Sequence, residues 1–305
     1  TRLMQACIGL SCALVLAPAL RAQGPMPEEG ATLFPHGAFL SYGSNLTSFH
    51  RDEKAPAAPP QPTFVHEMNI AGSWSPRRDV QLTATVPFVS KSLALSGEDL
   101  TATGLGDIRL GVKYRFLRLD SKRGTTQASI ETGPLLPTGE SSSTGRSGQR
   151  LSPLLQPGAG AAGWWVSLTA TYTGLFGIRR LVADPAFTHL FRSESQNGVR
   201  MGDESEARLW THFRPLQTRL VGGEWFIGPD LQWRKSRAMR SNGIDVSRTG
   251  SEILTAGVTT YISPHGGITL WASALFPVWQ EWNGAPYEQR SRFSFGLTKQ
   301  FALGH

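Results

Sequence analysis

The chain has 305 residues, with 30 Lys and Arg against 23 Asp and Glu and a formal charge of +7. Its two cysteines, Cys7 and Cys12, both lie near the N-terminus, which excludes a disulfide framework or a thiolate metal site in the rest of the chain. No later window reaches the ~18 unbroken apolar residues of a membrane-crossing helix. The basic residues are scattered, not gathered into the stripe that nucleic acid needs.

Residues 1–22 read as a secretory signal peptide. Arg2 supplies the positive start, residues 8–20 are apolar, and Ala22 offers a small residue for cleavage. The lead-in to Cys12 does not suit a lipoprotein. Removing Arg2 and Arg21 leaves 28 bases against 23 acids, a net charge of +5, for one domain over residues 23–305.

That domain alternates apolar and polar residues with period two, the signature of half-buried strands. Residues 36–46 set Ala38, Leu40 and Tyr42 against Phe39, Ser41 and Gly43. Residues 64–74 set His66, Met68, Ile70 and Trp74 against Glu67 and Asn69. Residues 80–88 alternate Val80, Leu82, Ala84, Val86 and Phe88 with Gln81, Thr83 and Thr85. The stretch GLGDIRLGVKYRFL, at 104–117, is the sharpest: Ile108, Leu110, Val112, Tyr114 and Phe116 oppose Asp107, Arg109, Lys113 and Arg115.

Further strands follow at 125–134, with Glu131 on the polar face, and at 164–172, where Trp164 and Leu168 oppose Ser167 and Thr169. The segment 181–191 is interrupted by Pro185, which weakens it as a strand. The next two carry Glu204, Glu206 and Arg208, then Glu224, Asp230 and Arg234, on their polar faces. Strands near 251–262, 268–276 and 292–301 complete twelve, and no segment has a helical period.

Links near 75–79, 118–124, 174–179, 215–221 and 263–266 are short. Those near 47–62, 90–103, 138–158, 193–202, 236–250 and 280–290 are long. Even-numbered antiparallel strands joined alternately by short and long links describe a transmembrane up-and-down β-barrel of the bacterial outer membrane. Several runs have the ~10 residues that a tilted strand needs to cross the hydrocarbon. The termini then face the periplasm, outer-membrane lipid meets the apolar face, and the barrel-assembly machinery is a partner during insertion.

The charges of the polar faces are the candidate functional residues, because charges leaving bulk water need partners or a wet passage. Glu67, Asp107, Arg109, Lys113, Arg115, Glu131, Glu206, Arg208, Glu224 and Arg234 are the pore-lining candidates. The other motifs have plainer readings. Gly158, Gly160 and Gly163 fit a dinucleotide-binding pattern, but a strand follows where a helix is required. Small residues leading into a curved strand account for them. The sequon at Asn45 has no use in a Gram-negative host. The seven histidines show no ligand spacing, and no His-x-Ser pair of a lipid hydrolase occurs. No cofactor, metal or catalytic residue is expected.

The stretch at 104–117, followed by ETGPLLPTGE at 131–140, resembles a bacterial outer-membrane family of transporters associated with the meta-pathway of phenol degradation. The resemblance rests on Gly104, Gly106 and Asp107, then on Leu136, Pro137, Thr138 and Gly139, and on the Gly-rich run after residue 155. It implies a β-barrel, with uptake of aromatic compounds as a loose association. Residues and resemblance together point to a barrel passing a small, aromatic or anionic solute. A plugged binding or structural barrel is the alternative, and a lipid-modifying enzyme a third.

Overall fold

The period-two pattern becomes strand almost wherever it occurs. The computed structural model describes residues 31–302, apart from 33–34, 52–60, 96–97, 123, 146–147, 179–180, 196, 214–223, 265–266 and 286. The expected signal peptide, most of the expected link at 47–62 and the expected link at 215–221 lie outside the described residues.

The first half of the chain forms β1 (Gly37–Arg51), β2 (Phe64–Arg77), β3 (Val80–Leu95), β4 (Glu98–Leu105), β5 (Ile108–Asp120), β6 (Thr125–Leu136) and β7 (Gly163–Thr173). The second half forms β8 (Leu181–Arg192), β9 (Val199–Arg200), β10 (Glu204–Phe213), β11 (Glu224–Ser236), β12 (Arg240–Ser241), β13 (Ile244–Asp245), β14 (Ser251–Ser263), β15 (Ile268–Glu281) and β16 (Tyr287–Ala302).

β4 and β5 act as one barrel strand. β4 pairs with the far half of β3 and β5 with its near half. Twelve antiparallel strands then close on themselves, because β1 pairs with β16 and β2 pairs with both β1 and β3. Closure leaves no free edge, as a sheet in hydrocarbon must. β9, β12 and β13 form a separate three-stranded patch in the loops. Asn242 and Gly243 both have positive φ between β12 and β13, the requirement of a type I′ hairpin.

The outward face is apolar. Ile70, Leu82, Leu110, Val112, Tyr114, Phe116, Leu168, Leu209, Val258 and Phe295 all remain exposed. An apolar surface of this extent on a free-standing chain marks a membrane band.

Three sequence expectations change. The expected link at 90–103 is mostly strand, since β3 runs to Leu95 and β4 starts at Glu98. The link at 280–290 shrinks to 282–286, so long and short links do not alternate strictly. Polar outward residues such as Ser90 and Thr103 break the hydrophobic pattern there, yet they hydrogen-bond to each other across the strands at 2.8 Å. Pro185 does not break β8 either. It pairs in register with Leu209, and the ladder to β7 merely skips Asp184 and Pro185.

Candidate functional site

Inward parity decides what the lumen contains. On β4 the inward residues are Ala102 and Gly104, and on β5 they are Arg109, Gly111, Lys113 and Arg115. Between them Gly106 and Asp107 form a bulge: the Gly106 N–H donates to the Pro87 carbonyl at 2.9 Å. The bulge shifts the parity by one residue and turns Asp107 inward.

Asp107 is a structural anchor. One carboxylate oxygen accepts the Gly139 N–H at 3.0 Å and the other the Ala159 N–H at 2.9 Å. The link between β6 and β7 is thereby folded into the barrel. The Ile108 N–H donates to the Thr138 hydroxyl, and the Gly158 N–H to the Glu140 carbonyl. A Cβ on Gly139 would stand 2.6 Å from the Gly158 Cα, so the crossing is open only to glycine. Gly158 and Gly160 therefore lie in this folded link, before β7 begins at Gly163, and serve the crossing instead of the curvature of a strand.

The rest of the link is also tied down. Leu151 and Leu155 pack on the inward Leu93 and Ala102, and Leu155 is 1% exposed. The Gln156 side chain bonds Ser143 and Leu151 main-chain atoms at 2.8–3.0 Å. The Lys91 ammonium donates to the carbonyls of Leu154 and Gln156 at 3.2 and 2.7 Å.

Three cavities lie in series. A cavity of about 550 Å³ occupies the end of the short turns, bounded by Phe39, Gln81, Lys113, Glu131, Trp165, Tyr261 and Trp271 among others. A second, of about 480 Å³, lies towards the long loops against Glu67, Lys91, Asp107, Arg192, Glu204 and the folded link. Thr85 and Arg109 bound both. A third, of about 270 Å³, lies among Arg200, Asp203, Arg237, Arg240 and Asp245, and shares Met201 with the second.

Of the candidates read from sequence, Glu67, Asp107, Arg109, Lys113 and Glu131 border these cavities. Glu67 accepts from Asn69 at 2.8 Å and Glu131 from the Thr83 hydroxyl at 2.6 Å. The others do not border these three cavities. Arg234 pairs with Glu206 at 3.1 Å and Arg208 with Asp230 at 2.6 Å, across the adjacent strands β10 and β11. Arg115 is tied to Gln127 and the Arg78 carbonyl. Glu224 opens β11 at the end of the short turns.

Other lumen residues were hidden in the sequence. Trp165, Tyr261 and Trp271 face inward, beside a buried stack in which Trp210 and His212 lie 3.8 Å apart, with Phe226 next to them. Glycines make room for the rings. A Cβ on Gly111 would come within 2.7 Å of Trp165, and one on Gly296 within 2.6 Å of Trp271. Lys91 and Arg192 were lost because their strands run on where the pattern fades.

In the loops, burial alone would raise the Asp203 carboxyl. The Arg192 N–H and the Arg200 and Arg237 guanidinium groups outweigh it and hold that carboxyl below its ordinary range. Asp203 accepts from Arg200 at 2.9 Å and from the Arg192 N–H at 2.9 Å.

The outer face carries two Ser–His contacts, Ser44 with His66 at 2.9 Å and Ser205 with His189 at 2.8 Å. Ser44 is buried. In neither pair does a carboxylate or amide among the described residues bond the second ring nitrogen, which a hydrolase base requires for orientation.

No protein-family model matches the sequence, and no curated protein matches it. Solved structures do. The COG4313 outer membrane channel from Pseudomonas putida F1 gives a TM-score of 0.58 at 16% identity, covering 91% of this chain and 100% of that one. The beta domain of the Bordetella autotransporter Brka gives 0.49 at 13% identity over 87% and 99%. The translocator domain of the autotransporter NalP from Neisseria meningitidis gives 0.48 at 9% over 90% and 91%. At 16% identity the likeness to the first of these is one of fold, that of an outer-membrane barrel.

Proposed function

We propose that the chain is an outer-membrane channel that passes a small anionic or aromatic solute, with its long loops outside the cell. One observation carries this reading: two cavities follow one another inside the barrel and share Thr85 and Arg109, and a third, among the loops, shares Met201 with the second. A barrel filled solid by its charges has no such series. Arg200, Arg237 and Arg240 outnumber Asp203 and Asp245 in the outermost cavity, and Arg109 and Lys113 outnumber Glu131 in the innermost. That surplus favours anions. Trp165, Tyr261 and Trp271 favour a solute with a flat apolar body.

The motifs shared with the phenol meta-pathway transporters support the same class. Asp107, Gly139 and Gly158, which carry that resemblance, meet at one crossing and set the shape of the loop-side cavity. The apolar outer face supports outer-membrane lipid as the surroundings. Against a lipid enzyme stands the incomplete state of both Ser–His contacts.

Liposomes reconstituted with the folded barrel test the proposal. They should swell in isotonic sodium benzoate or acetate faster than protein-free liposomes. Swelling no faster than the protein-free control, with correctly inserted barrel, would remove the channel reading and leave the plugged barrel.

A further inference from the structure

We propose that Arg109 and Thr85 form an oxyanion stop at the neck between the two lumen cavities, binding the carboxylate of a small solute in transit. The proposal rests on the channel reading and adds a site to it. Arg109 and Thr85 face each other in register across β3 and β5, and both border both cavities. A solute crossing from one cavity to the other must pass them.

The charges around the neck are otherwise occupied. Arg192 is bound to Glu204 at 2.8 Å, and Lys91 to two carbonyls of the folded link. Farther along the wall Arg234 holds Glu206 and Arg208 holds Asp230. The acids are engaged too: Glu67 by Asn69, Asp107 by two backbone N–H groups, Glu131 by Thr83. Arg109 is exposed to the lumen; among the described residues it makes no hydrogen bond and no ion pair within 4.0 Å, although Glu204 lies within its electrostatic reach. A guanidinium in a narrow polar space offers a planar fork of donors that matches a carboxylate, and the Thr85 hydroxyl is a further donor beside it.

The wall next to Arg109 suits the body of such a solute. Gly111 lies two residues along the same inward face, and the Trp165 indole lies over it. The indole N–H is already donated to the Leu110 carbonyl at 3.1 Å. The ring is therefore pinned, with no hydrogen bond of its own left to offer, and acts as an apolar surface. A solute with a charged head and a flat tail matches the pair of surfaces, Arg109 for the head and Trp165 for the tail.

Single-channel recording in potassium chloride with added benzoate tests the stop. Benzoate should interrupt the current in a concentration-dependent way, and uncharged benzyl alcohol should not. Arg109→Gln should weaken the block about tenfold or more, the scale of a charge-assisted hydrogen bond. Arg109→Lys should retain a weaker block. Equal block by benzyl alcohol, or an unchanged block in Arg109→Gln, would overturn the proposal. Calorimetric titration of benzoate into the detergent-folded protein reads the same site without current. Binding that Arg109→Gln abolishes supports the stop, and no binding by the wild-type protein refutes it. Current without benzoate block defeats the stop alone, whereas absent current defeats the channel reading.

Discussion

Gly111 shows how little space the lumen wall leaves. Its missing side chain is the place where Trp165 lies, and a Cβ would also meet the Thr83 hydroxyl at 2.5 Å and the Glu131 carboxylate at 2.9 Å. Gly111→Val should therefore cost about 1–3 kcal/mol through overpacking. It should also push Trp165 into the innermost cavity and reduce the single-channel current. Urea unfolding followed by gel mobility measures the first effect and bilayer recording the second. On the other face of the same strand the solvent is lipid. Leu110→Arg should destabilise the folded barrel by up to about 2–4 kcal/mol, the range for a cation near the bilayer midplane. The same urea titration in lipid vesicles checks it, and an unchanged midpoint would show that Leu110 does not face hydrocarbon.

At the scale of elements, the folded link between β6 and β7 is held by Asp107 at its two ends and by Lys91 and Gln156 in its middle. Asp107→Asn replaces one acceptor oxygen by a donor that faces a backbone N–H, so at least one of the two anchoring bonds is lost and a donor is left opposed. The link should loosen, and the mean single-channel conductance should rise above that of the wild type. An unchanged conductance would mean that the link does not limit the path.

The loops between β8 and β10 and between β11 and β14 are joined through Asp203, with Arg200 and Arg237 beside it. Its carboxyl is held below the ordinary range, so the join is fully present above the unfolded value of about 3.9 and is lost as pH falls through the lower folded value. Hydrogen exchange in residues 193–203, corrected for intrinsic rate, should stay constant from about pH 7 to 5 and rise only below about pH 4. Asp203→Asn should exchange fast throughout. A wild-type rise centred near pH 6 would point to a histidine instead.

At the scale of the whole molecule, much of the barrel was legible because one solvent lies outside and another inside. Val80 to Phe88 and Ile108 to Phe116 alternate cleanly wherever the outer face crosses hydrocarbon. Legibility failed beyond the apolar band. Ser90 and Thr103 point outward but are polar, so β3 and β4 looked like a loop, and Lys91 was lost with them. Parity could not foresee the bulge at Gly106 and Asp107, nor that Asp107 serves the fold of a link. Trp164 and Trp165 are neighbours, and only the strand's placement shows that the first meets the outside and the second the lumen. The inward fold of the link depends on Leu151 and Leu155 meeting Leu93 and Ala102, contacts between segments far apart in sequence.

Across the three cavities the bordering bases are Lys91, Arg109, Lys113, Arg192, Arg200, Arg237 and Arg240, and the bordering acids are Glu67, Asp107, Glu131, Asp203, Glu204 and Asp245. Among the described residues that border them the surplus is a single positive charge, and Arg109 is the base at the neck that makes no ion pair within 4.0 Å. The most direct measurement is the reversal potential of the reconstituted protein in a planar bilayer under a potassium chloride gradient. An anion-favouring channel predicts discrete conductance steps with a reversal potential on the chloride side of zero, moving towards the potassium side in Arg109→Glu. Folded, inserted protein that gives no steps, or wild-type steps that are cation-selective, would contradict it.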